Sequence, residues 1–294
     1  MQTTQLSFIR KFLLWYLQPP TNPYVNYNFS IDFSQAAAYL DRLNKSDKNP
    51  NEERPRVTPQ HLITAAIGRV YVEFPLANAS VMQNRIIRHK HVGVAVPVDL
   101  VTRDKVHGEI GAVIIERAEQ QTLRAIADMT SHRVRRERGE GTKTHILRRL
   151  MPIAGYIPQP LLQQLFNTID VVVRLPPLFK HIHQRFPITV LVSNLGSAVK
   201  TPKGVLTRGG SFTPPDRLLG LATFVVIFPL QEEVVAVNGS SEIRKLLPID
   251  YIFDHRIFDG VMCGRLLSRL VEILSEPEKT FGEDGELGGQ QSPI

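Results

Sequence analysis

Apolar residues recur along the chain with a period that switches between two and about three and a half, and prolines and glycines mark the switches. Over residues 24–33 the alternation puts Val25, Tyr27 and Phe29 on one side and predicts a strand. Ser34 then reads as an N-cap for a helix through Ala36, Ala37, Leu40 and Leu43. Residues 45–56 are polar and proline-bearing, hence a loop. Thr58-Pro59 is a helix start, because threonine can cap the first turn and proline has no N–H to leave unpaired there. That helix runs to about Val72, and Pro75 closes the region. Residues 85–101 predict two strand segments, with Val92, Val94, Val96 and Val98 in strict alternation. Residues 110–115 form a further apolar run, and 118–129 predict a helix.

The segment 146–186 carries many large apolar residues, few acids and prolines at 152, 158, 160, 176 and 177. It predicts short helices broken by proline, which must pack on the body or meet a membrane, a substrate or another subunit. Strands follow at 188–193, turned by Asn194-Leu195-Gly196, and at 222–228, 233–237 and 243–253. Asn238-Gly239 is a hairpin signal. Asp259 begins a helix through Leu266, Leu270 and Ile273 that Glu276-Pro277 ends. A first amphipathic helix spans 8–17 and stops at Pro19-Pro20. From Gly282 the chain is acidic and glycine-rich, which predicts a disordered tail over 282–294 behind a domain over 1–281. The elements do not alternate regularly, so the pattern favours an α/β sandwich on a mixed sheet over a dinucleotide fold.

Composition narrows the class. At 294 residues a large core is available. The single cysteine, Cys263, rules out an internal disulfide and a zinc knuckle. With no stretch long enough to span a bilayer and no cleavable leader, the expected location is cytoplasmic. The net charge of +7 is concentrated at Arg133, Arg135, Arg136, Arg138, Lys143, Arg148 and Arg149, a stretch suited to a solvated helix end or to anionic groups. Aromatic residues do not interleave with it, so nucleic acid is not an expected partner.

The candidate chemistry centres on His255, between Asp254 and Asp259 at the end of a predicted strand. A histidine there can act as a general base, although a lone histidine beside carboxylates is more often structural. Asp259 by itself reads as an N-cap. His89 with His91, and His181 with His183, sit at strand-like spacing but have no third ligand, so no metal is expected. Cys263 lies among apolar residues and reads as core. No glycine-rich phosphate loop or Gly-x-Ser-x-Gly elbow is present.

His255-Arg256-Ile257-Phe258-Asp259-Gly260 resembles the His-x-x-x-Asp-Gly signature of the chloramphenicol acetyltransferase superfamily. With Asp254 it resembles, more narrowly, the catalytic domain of the dihydrolipoamide acyltransferases of 2-oxo acid dehydrogenase complexes. The order of other motifs agrees: Val57-Thr58-Pro59 and its helix, then Phe74 to Ser80, then Val92-Gly93-Val94-Ala95-Val96, then Val192-Ser193-Asn194-Leu195-Gly196. The resemblance implies a two-layer sandwich with a mixed sheet, assembled as a homotrimer with active sites between subunits. It implies that His255 takes the proton of the acceptor, that the Ser193 hydroxyl stabilises the oxyanion, and that Asp259 supports the histidine loop. A coenzyme A thioester or a carrier-bound thioester is the implied co-substrate, with no tightly bound cofactor.

The departures bear on the acceptor. These 294 residues contain no lipoyl domain, no peripheral-subunit-binding domain and no alanine-proline linker. The apolar segment 146–186 is inserted before the serine strand, where it can cover a channel, mediate assembly or touch a membrane. A trimeric scaffold without activity and a histidine-dependent biosynthetic enzyme on the same fold remain the alternatives to acyl transfer.

Overall fold

A computed structural model of the protein describes residues 23–46, 54–82, 85–99, 110–139, 156–198, 202, 204–214, 217–257 and 259–289. The expected first helix over 8–17 lies outside them. The strands are β1 (Tyr24–Asp32), β2 (Ala79–Met82), β3 (Arg85–Arg88), β4 (Val94–Asp99), β5 (Ile110–Ile115), β6 (Val190–Asn194), β7 (Thr223–Ile227), β8 (Gln231–Val237) and β9 (Ser240–Asp254). The helices are α1 (Ser34–Ser46), α2 (Pro59–Glu73), α3 (Leu123–Gly139), α4 (Gln159–Val173), α5 (Pro176–Arg185), α6 (Leu195–Ala198), α7 (Gly260–Ser275) and α8 (Pro277–Phe281).

Seven strands form one sheet in the order β1-β9-β7-β6-β4-β5, with β8 paired to the outer half of β9. β4, β6 and β7 run parallel to one another, and the other pairings are antiparallel. The sheet is therefore mixed, as the irregular order of elements predicted. β9 has two halves of different character. Its outer half alternates in exposure and pairs with β8 through the Asn238-Gly239 turn, where both residues have positive φ (50° and 83°). Its inner half lies between β1 and β7 and is buried without interruption from Leu247 to Asp254.

The core lies on one face of the sheet. Val192, Val225, Ile249, Tyr251 and Phe253 point to that face and pack against apolar residues of α1, α2, α3 and α7. Leu191, Phe224, Val226 and Ile252 point the other way, to a smaller cluster. A buried hydroxyl group network ties α2 to the sheet: Tyr71 Oη donates to Thr223 Oγ1 at 2.6 Å and lies 3.1 Å from Tyr251 Oη. Thr58 starts α2 as expected, with an unforeseen partner: its N–H donates to Nδ1 of buried His61 at 3.2 Å. Burial pushes the His61 pKa down to about 4, so the ring is neutral and can accept that bond.

Three of the expected element boundaries and turns needed correction. Ser34 is the first residue of α1 rather than its cap; its hydroxyl accepts from Lys245 N at 3.0 Å and ties the helix to β9. The helix expected over 118–129 starts at Leu123 and continues to Gly139. Its expected first residues form a turn instead, because the buried Glu119 carboxylate is engaged by Val92 N at 2.9 Å and His91 Nδ1 at 2.8 Å. Asn194-Leu195-Gly196 leads into the short helix α6 rather than a simple turn.

Over 282–289 the acidic tail lies against the body. Gly282 O accepts from Tyr39 Oη at 2.8 Å, and Asp284 O from Arg124 Nε at 3.0 Å. Tail backbone carbonyls thus satisfy donors that would otherwise be left near the core, a use that composition does not reveal. Deleting residues 282–294 is expected to lower the unfolding free energy by about 1–3 kcal/mol in urea titration. A tail that hangs free would leave the midpoint unchanged.

Candidate active site

His255 is the first residue after β9. Its backbone N–H donates to Pro23 O at 2.9 Å, and the preceding Asp254 N–H donates to Ala222 O at 2.8 Å, so the strand's last rungs hold the loop from both sides. The imidazole is exposed, with its ring centroid 6.1 Å from that of Phe253. Among the described residues, no side chain hydrogen-bonds it.

The two aspartates of the motif do different work. Asp254 is fully buried and accepts from three nitrogens of Arg256: backbone N at 2.9 Å, Nε at 3.0 and 3.1 Å to its two oxygens, and Nη2 at 2.6 Å. This fork-shaped ion pair spans His255 and fixes the turn that presents it. Asp259 instead caps α7, its Oδ1 accepting from Met262 N at 2.9 Å. The arginine that supports the histidine loop is therefore Arg256, and its carboxylate is Asp254. A charged triplet around a histidine carried the signal, but spacing alone could not assign the pair.

Ser193 occupies the fourth position of β6, on the face away from the helices, with Leu191 and Val226. Two glycines place it. A Cβ on Gly93 would fall 1.4 Å from Pro187 O, and the Gly93 carbonyl accepts from Thr189 N and Val190 N, which seats the start of β6 on β4. A Cβ on Gly196 would come to 3.0 Å from the Phe228–Pro229 backbone, a tight fit that a side chain would enter only if that backbone gave by a few tenths of an ångström. Next along the same face is Asp250, unnoticed in the sequence. The register runs Asn28, Asp250, Val226, Ser193 across β1, β9, β7 and β6. Asp250 is buried, accepts from Asn28 Nδ2 and from Gly210 N at 3.0 Å, and its pKa is raised by burial.

The register also separates the two principal candidates. Ser193 is level with Asp250, five positions before His255 on β9. At the rise of a strand that is about 16 Å along the sheet, with two further strand spacings of about 5 Å each across it. A base and an oxyanion donor must both come within about 3 Å of one reacting centre. One copy of the chain cannot bring them together.

The other candidates lie elsewhere. His89 contacts Ser80 Oγ through Nε2 at 2.9 Å and packs on His183, ring centroids 4.0 Å apart and planes tilted by 30°. His181 and His183 are on helix α5, not a strand, so they do not share a face. Cys263 is buried in the core, and desolvation pushes its thiol up to about 11. Of the basic stretch, Arg133 lines an open cavity of about 630 Å³ with His132, Arg185 and Phe186. Lys143, Arg148 and Arg149 lie outside the described residues.

The family described as 2-oxoacid dehydrogenases acyltransferase (catalytic domain) matches residues 3–147 and 224–282. The chain belongs to this family. The matched parts include His255 and Asp259, whereas Ser193 falls between them. Over 122 residues, 35% of this chain and 29% of the relative, it is 30% identical to the lipoamide acyltransferase component of the branched-chain alpha-keto acid dehydrogenase complex of Bacillus subtilis (strain 168). The match thus spans under a third of that relative's length. A probable dihydrolipoamide acetyltransferase from Listeria monocytogenes superposes with a TM-score of 0.63 at 16% identity, covering 94% of this chain and 96% of that one. The Azotobacter vinelandii dihydrolipoamide acetyltransferase gives 0.60 at 17% identity, covering 95% and 93%; the roles of a serine, a histidine and an asparagine in its catalytic mechanism have been investigated. At these identities the likeness is one of fold, and it is the fold expected from the motifs.

The cap assigned to Asp259 predicts that Asp259→Ala costs about 1 kcal/mol of stability in denaturant titration and that Asp259→Ser restores most of it. Asp254→Ala, which leaves Arg256 without its carboxylate, should cost about 2–3 kcal/mol. Equal losses at the two positions would contradict the division of roles.

Proposed function

We propose that the protein transfers an acyl group from a thioester, coenzyme A-linked or carrier-bound, to a nucleophilic acceptor, at sites formed between copies of the chain. The observation that supports this most is an exposed histidine held at a strand end by the Asp254–Arg256 fork, in a chain of the acyltransferase family.

In this reading His255 removes the proton from the acceptor thiol, hydroxyl or amine as that group attacks the thioester carbonyl. The new bond forms at the carbonyl carbon, and its π electrons move to oxygen. The Ser193 hydroxyl of an adjoining copy donates to that oxyanion. Collapse of the tetrahedral intermediate breaks the carbon–sulfur bond, and the proton held by His255 passes to the leaving thiolate. Asp254 and Arg256 take no proton; they position the imidazole. Asp259 supports the same segment by starting α7.

The copies must meet head to tail, the His255 end of one sheet against the Ser193 face of the next. A head-to-tail contact whose rotation closes gives a ring, and a homotrimer is the ring proposed here.

An acyl-CoA panel read by free-thiol release tests the chemistry. His255→Ala and Ser193→Ala should each lose roughly 100-fold or more in turnover. Co-refolding the two inactive variants in equal amounts should restore roughly a quarter of wild-type activity, because some interfaces then pair an intact histidine with an intact serine. Unchanged rates in the single variants would overturn the assignment, and a lack of recovery in the mixture would overturn its placement between copies.

A further inference from the structure

The helical hairpin α4–α5 carries an apolar surface that the rest of the described protein does not use. One side of α4 is fastened to the body. Leu162 and Phe166 are buried against Ile157 and Leu218, and Asp170 Oδ1 accepts from Leu218 N at 2.6 Å and Arg174 Nε at 3.1 Å. α5 is fastened by Phe179, which is buried, and by His183 on His89. Beside the buried side of α4 runs a second stripe, Leu161, Leu165, Ile169 and Val172, at intervals of four, four and three residues. These side chains are exposed, Leu161 at 58% and Leu165 at 48%, and Tyr156 and Leu175 extend the apolar surface beyond the helix ends.

Charge indicates what covers this stripe. Over 156–186 the single acid is Asp170, and Arg174 pairs with it. The solvent side of α5 carries Lys180, His181 and Arg185, all exposed. The polar positions of α4 beside the stripe are Gln164, Asn167 and Thr168, without charge. A hairpin with an apolar stripe on one helix, exposed cations on the other and no acid over 156–186 but the paired Asp170 suits an anionic lipid surface. A symmetric contact with a second copy fits less well, because it would set Lys180 and Arg185 against the same cations of the partner. Among the described residues no helix is long and apolar enough to cross a membrane, so the contact is one of lying on the surface.

We infer that the α4–α5 hairpin docks the protein onto the surface of an anionic phospholipid bilayer, with the Leu161–Leu165–Ile169–Val172 stripe in the acyl boundary and Lys180 and Arg185 at the headgroups. This does not depend on the acyl-transfer reading. Vesicle co-sedimentation of the full chain tests it, with phosphatidylcholine alone and with phosphatidylcholine mixed with phosphatidylglycerol. The wild type should sediment with the mixed vesicles, less with the neutral ones, and less at high salt. The double variant Leu161→Glu/Leu165→Glu should lose roughly tenfold or more in partitioning, since it removes two exposed apolar side chains without touching the core. Lys180→Glu/Arg185→Glu should lose the preference for anionic lipid. No sedimentation of the wild type with either vesicle, or equal sedimentation of the leucine variant, would overturn the inference. So would a fall in solution mass of the leucine variant by light scattering without any vesicle binding, which would assign the stripe to a second copy.

Discussion

The hydrogen-bond register across β6, β7 and β9 is the constraint on which the rest depends. Backbone ladders in the middle of a sheet do not slide, because a one-residue slip would turn every core side chain to the opposite face. Ser193 is fixed level with Val226 and Asp250, and His255 is fixed one residue past the end of the same β9. The spacing between them is set by the backbone, not by side-chain choice, and no rotamer of either residue closes it. Under the proposed mechanism His255 and Ser193 can therefore meet only if two copies of the chain adjoin.

Around that constraint, local features serve presentation more than reaction. The Asp254–Arg256 fork and the rung from His255 N to Pro23 O hold the turn after β9 while leaving its histidine exposed, and Asp259 caps the helix that follows. Burying Asp254 is costly unless each of its oxygens is paired, and Arg256 pairs both. At the start of the serine strand, Gly93 permits a backbone approach that any side chain would block, and Gly196 permits a tight one at its end.

Much of this was legible in the sequence, for identifiable reasons. Strands such as β4 and β9 alternate or run apolar strongly enough to be read directly, Asn238-Gly239 marks the start of β9, and Thr58-Pro59 marks the start of α2 through backbone chemistry. The resemblance carried by His255 and its neighbours pointed to the family and the fold. Long-range partners were not legible. Glu119 looks like a helix residue until its carboxylate is seen to hold Val92 and His91, 27 and 28 positions earlier. Asp250 sits in an apolar run with nothing to mark its bond to Asn28. The tail after Gly282 has the composition of a disordered segment, yet its carbonyls meet Tyr39 and Arg124. In each case the deciding interaction joins positions far apart in the chain, which neither periodicity nor composition records.

The central claim is that His255 and Ser193 act together only across two copies. Cross-linking tests it most directly: chains bearing only His255→Cys are mixed with chains bearing only Ser193→Cys and treated with a short bis-maleimide. The native Cys263 is buried with its thiol pushed up to about 11, so it should not compete. The account predicts a two-chain product in the mixture that neither variant forms as efficiently alone, and no internal link in a chain carrying both cysteines. An efficient internal link at the mass of one chain, with no two-chain product, would contradict it.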